Sequence, residues 1–308
     1  MKFAIGPVLL LMMLASPAAA QLPEPISAPP TVPDELLAFH DSGTRMTVPV
    51  TIGASGPYRF IVDTGAERTV ISRELAGTLG LAPGRNVRVT AMTGVSSVGT
   101  VVIPMITVGT ITGAKIEAPA FEYRHLGALG MLGIDTLQEH AVTIDFDNKV
   151  MTVTPSSKVK KTQRAAPDEI IVHAKNLFGQ LVVTDAFYRG RRIRVIVDTG
   201  SVVSMGNLAL KKQVSRRSPL KSISLLSVTG EFLQADYTQI DQVKLAGVDI
   251  ANLPVAFADA APFKHFGLTD RPALLLGMDA LRLFRRVRID FPNREVRFLL
   301  PRDAVRRI

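Results

Sequence analysis

The sequence has 308 residues, of which 47% are hydrophobic and 20% charged; this is typical of a globular protein with one large or two modest domains, and it excludes a disordered chain. The formal net charge of +9 is uneven, because residues 155–308 contain 26 Lys and Arg against 14 Asp and Glu, whereas residues 1–154 contain 10 against 13. The chain has no cysteine, which excludes disulfides, thiolate nucleophiles and zinc–thiolate sites.

The N-terminus has the pattern of a secretory signal peptide over residues 1–20. Lys2 is followed by an apolar run over residues 4–14, and the small residues Ala18 and Ala20 suit cleavage after Ala20. The apolar run is too short to span a bilayer, so we expect no stable membrane span after cleavage, with an uncleaved anchor as the alternative. The pattern is typical of a bacterial exported protein, which we expect in the periplasm, with secretion as the alternative.

A proline-rich lead over residues 21–43 is expected to be extended, and a first β lobe is predicted over residues 44–154. Its apolar run Phe60–Val62 predicts a buried strand that ends abruptly in Asp63, an acid that such a strand should not bury without a partner. Short helices are predicted at residues 72–80 and 135–140, and the turn at residues 147–149 predicts a closing hairpin.

A polar segment over residues 155–168 is predicted to link this lobe to a second one over residues 169–302. The second lobe repeats the arrangement of the first, because the apolar run Val195–Val197 ends in Asp198. Short helices are predicted at residues 207–213 and 279–284, and a closing hairpin turns at residues 292–294.

Four landmarks recur in the two lobes in the same order. The offsets are 135 residues from Asp63 to Asp198 and 136 from Gly94 to Gly230, then 144 for the glycines at 133 and 277 and 145 for the aspartates at 145 and 290. A slowly growing offset indicates duplication with a few insertions. The predicted fold class is therefore all-β, with two similar lobes and short helices.

The motifs within this repeat resemble those of the retropepsin-like aspartic proteases. Each copy has an apolar run leading into Asp-Thr-Gly, then a glycine-containing hairpin and an apolar-apolar-Gly segment, at residues 131–133 and 275–277. The resemblance covers nearly the whole mature chain, twice. It implies two retropepsin/pepsin-like β-barrel lobes that form a pseudo-dimer, and a monomeric endopeptidase with one active site between them. It also implies a peptide or protein substrate and no cofactor, metal or nucleic acid.

The resemblance implies that Asp63 and Asp198 are the catalytic residues. Two carboxylates about 3 Å apart share a proton; the ionised one activates a water that attacks the peptide carbonyl, and the protonated one donates to the carbonyl oxygen. In this family the apolar-apolar-Gly segments pack behind the loops that carry the aspartates. The loop residues expected to support the site are Thr64, Gly65, Ala66, Thr199, Gly200 and Ser201. The candidates for flap tips over the substrate are Met92, Thr93, Gly94, Val228, Thr229 and Gly230.

Two residues near these motifs distinguish the copies. We expect the Ser201 hydroxyl to donate a hydrogen bond to Asp198, which Ala66 cannot do for Asp63, so that Asp198 is the more readily ionised member of the pair. Glu67 places an extra acid close to Asp63, where it either binds a basic substrate residue or faces solvent.

Two alternatives to this interpretation stay open. Each repeat could pair with its equivalent in another chain, or the chain could be a non-catalytic protein that binds peptides or anionic envelope polymer through its basic half. The basic strand at residues 285–291 alternates charged and apolar residues, which favours a solvated face. Asp135, Asp145, Asp279 and Asp290 also recur in pairs and are predicted to be structural, because capping at a strand or helix edge explains each of them. His125, His140 and His265 are predicted to be surface or hydrogen-bonded residues and not metal ligands.

Overall fold

A computed structural model describes residues 26–27, 46–109, 111–159, 165–177, 179–214 and 219–302 of the chain. The predicted signal peptide and most of the proline-rich lead therefore lie outside the described residues. Among the described residues, no helix is both long enough and apolar enough to cross a membrane.

Among the described residues, strands dominate both halves of the chain and every helix is short. Up to residue 155 the elements are β1 (Ile26–Ser27), β2 (Thr47–Ile52), β3 (Ser55–Val62), β4 (Val70–Ser72), α1 (Arg73–Thr78), β5 (Pro83–Ala91), β6 (Gly94–Ile103), β7 (Ile106–Val108), β8 (Ile111–Gly113), β9 (Ile116–Phe121), α2 (Tyr123–Leu126), β10 (Gly130–Leu132), α3 (Ile134–Leu137), β11 (His140–Asp145) and β12 (Val150–Pro155). The remaining elements are β13 (Glu169–Leu177), β14 (Gln180–Tyr188), β15 (Arg191–Val197), β16 (Met205–Gly206), α4 (Leu208–Lys211), β17 (Lys221–Leu226), β18 (Phe232–Ile240), β19 (Val243–Leu245), β20 (Val248–Ala251), β21 (Leu253–Phe257), α5 (Ala261–His265), β22 (Ala273–Leu276), α6 (Met278–Leu281), β23 (Arg286–Asp290) and β24 (Glu295–Leu299).

The two lobes share one strand order. In lobe 1 the order is β5-β6-β9-β4-β10-β3-β2-β7-β8, and in lobe 2 it is β17-β18-β21-β16-β22-β15-β14, with β19 and β20 continuing from β14. Every strand of the first series corresponds to the strand at the same place in the second. The predicted all-β fold with two similar lobes is confirmed, and α1, α3, α4 and α6 overlap the predicted helices. Helices α2 and α5 were not predicted.

The two closing hairpins form a sheet that joins the lobes. Strand β11 of the first hairpin pairs antiparallel with β23 of the second, and β24 pairs with β13 at the start of lobe 2. Facing apolar residues of this sheet are buried, such as Val142 opposite Ile289. The main hydrophobic core consequently contains residues of both lobes, from Val48 to Leu300. The lobes are packed as one unit.

The basic strand β23 largely follows its predicted alternation. Val287 and Ile289 are buried and Arg286 is exposed, as expected for a strand with one solvated face. Asp290 is the exception, because it is buried and its carboxylate accepts a hydrogen bond from the Ser156 hydroxyl at 2.9 Å. The carboxylate therefore fastens the start of the linker to the sheet between the lobes.

Candidate active site

Asp63 follows directly after the last residue of β3. Strand β10 runs parallel to β3 and pairs Leu132 with Val62. The backbone N–H of Asp63 then donates to the Leu132 carbonyl at 2.9 Å, which continues the ladder by one residue. The pairing therefore fixes the position of the Asp63 carboxyl group at the end of the strand.

Asp198 is held in the same way in lobe 2. Strand β22 runs parallel to β15 and pairs Leu276 with Val197, and the N–H of Asp198 donates to the Leu276 carbonyl at 3.0 Å. The apolar-apolar-Gly segments at residues 131–133 and 275–277 thus pack behind the loops that carry the aspartates, as expected.

Backbone amides of each loop bind the carboxylate that precedes them. Asp63 Oδ1 accepts hydrogen bonds from the N–H groups of Gly65 at 2.9 Å and Ala66 at 3.0 Å. In lobe 2 the amides of residues 200–201 donate in the same way to Asp198 Oδ1, at 3.0 and 3.2 Å. Both aspartates are half-buried. Amide donors favour the ionised form of a carboxyl group and fix its orientation.

The two loops approach so closely that only glycine fits at the contact. A Cβ atom on Gly65 would lie 2.7 Å from Asp198 Cγ, and one on Gly200 would lie 2.2 Å from Asp63 Cγ. Real Cβ atoms do not come this near to another atom, so any other residue would push the loops apart. Each lobe therefore presents its glycine to the aspartate of the other lobe, and the two carboxyl groups face each other across this contact.

A symmetric set of threonine hydrogen bonds joins the loops. The Thr64 hydroxyl donates to the Val197 carbonyl at 2.8 Å, and the Thr199 hydroxyl donates to the Val62 carbonyl at 2.6 Å. Each hydroxyl also accepts from the N–H of the other threonine at 3.1 Å. Both side chains are buried, so the bonds are shielded from competing water. The two loops are therefore locked to each other by four hydrogen bonds.

The candidate flap tips meet between the lobes. Met92, Thr93 and Gly94 lie at the turn of the β5–β6 hairpin, and residues 228–230 lie at the turn of β17–β18. The Thr93 and Thr229 hydroxyl oxygens are 3.4 Å apart. The structure thus brings together tips that are 136 residues apart in sequence.

Each flap tip also packs on the opposite lobe. Met92 of lobe 1 packs against a set of buried residues that we call the lobe 2 cluster: Val182, Ile196, Val203, Met205, Ile223, Leu225, Ala235, Tyr237, Ala256, Ala258, Ala260, Phe263, Phe266, Leu268, Ala273 and Leu275. Val228 of lobe 2 packs against the lobe 1 cluster: Ile61, Val70, Val98, Phe121, Leu126, Ala128 and Met131. Both hairpins therefore cross between the lobes.

The comparison with known families agrees with this geometry. A family model described as aspartyl protease matches residues 48–136 and again residues 184–280, which together are more than half of the chain. The chain belongs to the aspartyl protease family. The two matches correspond to two tandem repeats, one in each lobe. No curated protein matches the chain significantly.

In this aspartyl protease the Ser201 hydroxyl does not make the hydrogen bond to Asp198 that the sequence predicted. Burial, and then repulsion from the nearby Asp63 carboxylate, raise the pKa of Asp198 to about 8. The Ser201 hydroxyl donates to the Val203 carbonyl at 2.8 Å and is thereby already used within its own loop. The hydrogen bond from which an easier ionisation of Asp198 was expected is therefore not formed. Only the backbone N–H of Ser201 reaches the carboxylate.

Two further aspartates brace the protease loops from behind. Asp135 Oδ1 accepts from the N–H and the hydroxyl of Thr69 at 2.8 and 2.7 Å, and Asp279 Oδ1 accepts from the Ser204 hydroxyl at 2.6 Å. Burial raises the pKa of Asp279 to about 6 and raises that of Asp135 as well. Both carboxylates have structural roles as predicted, but they tie loops together inside the lobes and are not simple caps at an exposed edge.

Sequence reasoning missed three cross-lobe contacts near the site. The buried Gln180 of lobe 2 donates through Nε2 to the Gly65 carbonyl at 2.8 Å. Glu67 Oε1 lies 2.6 Å from His265 Nε2, so this acid binds a histidine of the other lobe. The third contact places His125 beside Gly230. The sequence contained a sign that the two histidines are equivalent, because Arg124-His125-Leu126-Gly127 and residues 264–267 share one pattern of basic residue, histidine, apolar residue and glycine.

Proposed function

We propose that this protein is an exported aspartic endopeptidase that hydrolyses peptide bonds with a water activated by Asp63 and Asp198. The observation that carries the proposal is the reciprocal approach of each glycine to the opposite aspartate, Gly65 to Asp198 and Gly200 to Asp63. This contact leaves the two carboxyl groups near each other in a place where both cannot stay ionised. A pair that shares one proton supplies an acid and a base at the same site.

The raised pKa of Asp198 supports a division of roles in which Asp198 holds the shared proton and Asp63 is the ionised partner. Asp63 takes a proton from the bound water while the water oxygen attacks the peptide carbonyl carbon, and Asp198 donates its proton to the carbonyl oxygen. When the tetrahedral intermediate collapses, the C–N bond breaks. The leaving nitrogen takes the proton from Asp63, and a hydroxyl of the intermediate returns one to Asp198.

The supporting residues act by keeping this geometry. Thr64 and Thr199 hold the loops in register, so that neither carboxyl group needs to reorganise during the reaction. The tips at residues 92–94 and 228–230 are proposed to cover the substrate, because they meet between the lobes and each packs on the far side.

Export and the monomeric state belong to the same proposal. The N-terminal pattern of residues 1–20 supports export to the periplasm, with maturation to a chain that begins at Gln21. Lobe 1 ends at residue 154 and lobe 2 starts at residue 169 in the proposed division, with the linker between. One chain then carries both aspartates and needs no second copy.

The proposal is tested by incubating the purified mature chain with a peptide library at acidic to neutral pH and identifying products by mass spectrometry. Cleavage in H₂¹⁸O should place the label in the new carboxyl termini, because water is the nucleophile. The control is Asp63→Asn, which keeps the size of the side chain and should lower the rate of product formation by about 10²- to 10⁴-fold. Cleavage at the parent rate in this variant would assign the activity to another site or to a contaminant.

A further inference from the structure

Helices α2 and α5 occupy equivalent places in the two lobes. Helix α2 follows β9 and α5 follows β21, and these two strands have the same place in the strand orders of the two lobes. Each helix carries a histidine two residues before a glycine with positive φ, which is Gly127 in lobe 1 and Gly267 in lobe 2. His125 and His265 are therefore duplicates of one another. The two histidines have different contacts, and this difference means that the two flaps are held in different ways.

Helix α5 binds both the lobe 1 loop and the lobe 1 flap. At its C-terminal end, His265 Nε2 lies 2.6 Å from Glu67 Oε1, which is four residues after Asp63. At its N-terminal end, the N–H of Ala261 donates to the Met92 carbonyl at 3.0 Å. A helix of five residues thus connects the loop of Asp63 to the tip of the lobe 1 flap, and it does so from the other lobe.

In helix α2, Tyr123 and His125 take the places of Ala261 and His265, and neither makes the equivalent polar bond. The N–H of Tyr123 donates to Glu74 Oε2 at 2.9 Å, within lobe 1, and so does not bind the flap. The position equivalent to Glu67 is Val202, which has no acidic group to pair with His125. Instead the His125 ring lies beneath the lobe 2 flap, where a Cβ atom on Gly230 would lie 2.5 Å from its Cε1.

We propose that Glu67 and His265 are positioning residues that form a cross-lobe clamp, which holds α5 and through it the lobe 1 flap. The clamp fixes the lobe 1 flap by polar bonds, whereas His125 contacts the lobe 2 flap by packing against Gly230. The flaps are therefore unequal, and the lobe 2 flap is the one that opens more easily. The consequence for substrate binding rests on the proposed peptidase function, but the clamp itself does not.

The absence of cysteine from the chain allows a clean test with single spin labels. Val95 is 52% exposed and lies one residue beyond the lobe 1 flap tip, and Phe232 is 66% exposed at the start of β18 in the lobe 2 flap. Each is replaced by cysteine in a separate chain and labelled. The mobility of each label is then measured in the parent, in His265→Ala and in the matched variant His125→Ala.

The clamp predicts a crossed pattern of mobilities. His265→Ala should mobilise the label at position 95 and leave the one at 232 unchanged, and His125→Ala should do the reverse. Glu67→Ala should match His265→Ala, and combining the two should add nothing further, because both break one interaction. Glu67→Gln keeps an acceptor for the histidine N–H and should retain most of the immobilisation.

A second readout concerns hydrolysis. His265→Ala should raise KM about fivefold with little change in kcat, as expected when a residue acts through a coupled element and does not touch the reacting atoms. An immobile label at position 95 in Glu67→Ala and His265→Ala, or equal mobilisation of both labels in a variant that stays folded, would overturn the clamp. If His265→Ala does not fold, Glu67→Ala decides the question. If the parent hydrolyses no peptide, the peptidase proposal fails and the label mobilities still decide the clamp.

Discussion

At the scale of single residues, the site depends on how each aspartate is solvated and bonded. Asp63 and Asp198 have nearly the same backbone surroundings, with two amide donors apiece. The raised pKa of Asp198 comes from burial and from the Asp63 carboxylate, and both causes act only in the folded chain. The pair should therefore affect stability as well as chemistry.

The first prediction concerns stability against pH. Because the pKa of Asp198 rises from 3.8 to about 8 on folding, the folded chain keeps a proton that the unfolded chain loses. The stabilising contribution of this proton is complete below pH 3.8 and is lost as the pH rises through about 8. Asp198→Asn cannot ionise, so at pH 8 it should be more stable than the parent by more than about 1 kcal/mol, given 1.36 kcal/mol per unit of pKa. Urea unfolding at pH 4 and pH 8 measures this, and an equal difference at both pH values would contradict it.

The second prediction concerns the Ser201 hydroxyl. Since it donates to the Val203 carbonyl and not to Asp198, Ser201→Ala should leave the pH–rate profile unchanged. The variant should lose about 1 kcal/mol of unfolding free energy, because one loop hydrogen bond is removed. Ala66→Ser places a hydroxyl at the equivalent position of lobe 1 and is the matched variant to Ser201→Ala. A shift of the acidic limb in Ser201→Ala would mean that the hydroxyl turns to the carboxylate in solution.

At the scale of elements, the strands and hairpins that could be predicted were those whose sequence patterns are strong and occur in both repeats. The strands before Asp63 and Asp198, the segments behind them and the closing hairpins could all be found, because apolar runs, turn residues and duplication indicate the same arrangement. Helices α2 and α5 are as short as the predicted α3, α4 and α6, but they do not follow an Asp-Thr-Gly or Gly-x-Asp motif that would have marked their position. The pairing of Glu67 with His265 joins residues 198 positions apart, and no local pattern encodes it.

The third prediction tests the contact between the flap tips. Thr93 and Thr229 oppose each other with hydroxyl oxygens 3.4 Å apart, so cysteines at both positions should form a disulfide on oxidation. No native thiol interferes, because the chain has no cysteine. The oxidised double variant should lose most of its activity on long peptides and regain it with a reductant, since locked tips block substrate entry.

The two single cysteine variants are the controls, and neither should respond to the oxidant. Full activity of the fully oxidised Thr93→Cys/Thr229→Cys chain would show that substrate does not pass between these tips.

At the scale of the whole molecule, the two duplicated lobes are joined by extensive contacts. The closing hairpins share one sheet, the main core spans both lobes, and each flap packs on the opposite cluster. The threonine bonds and the Gln180 bond add polar contacts at the centre. These interactions favour one intramolecular site over pairing between equivalent repeats of two chains.

The most direct test of this single site is peptide hydrolysis by Asp63→Asn, by Asp198→Asn and by an equimolar mixture of the two. Each variant should lose activity by about 10²- to 10⁴-fold, the range that acid–base groups contribute, because each removes one half of the only pair. The mixture should be as inactive as its components, because every chain still contains one asparagine in its own site. Near-normal turnover by either single variant, or recovery of activity on mixing, would mean that aspartates of different chains form the site and would contradict the account.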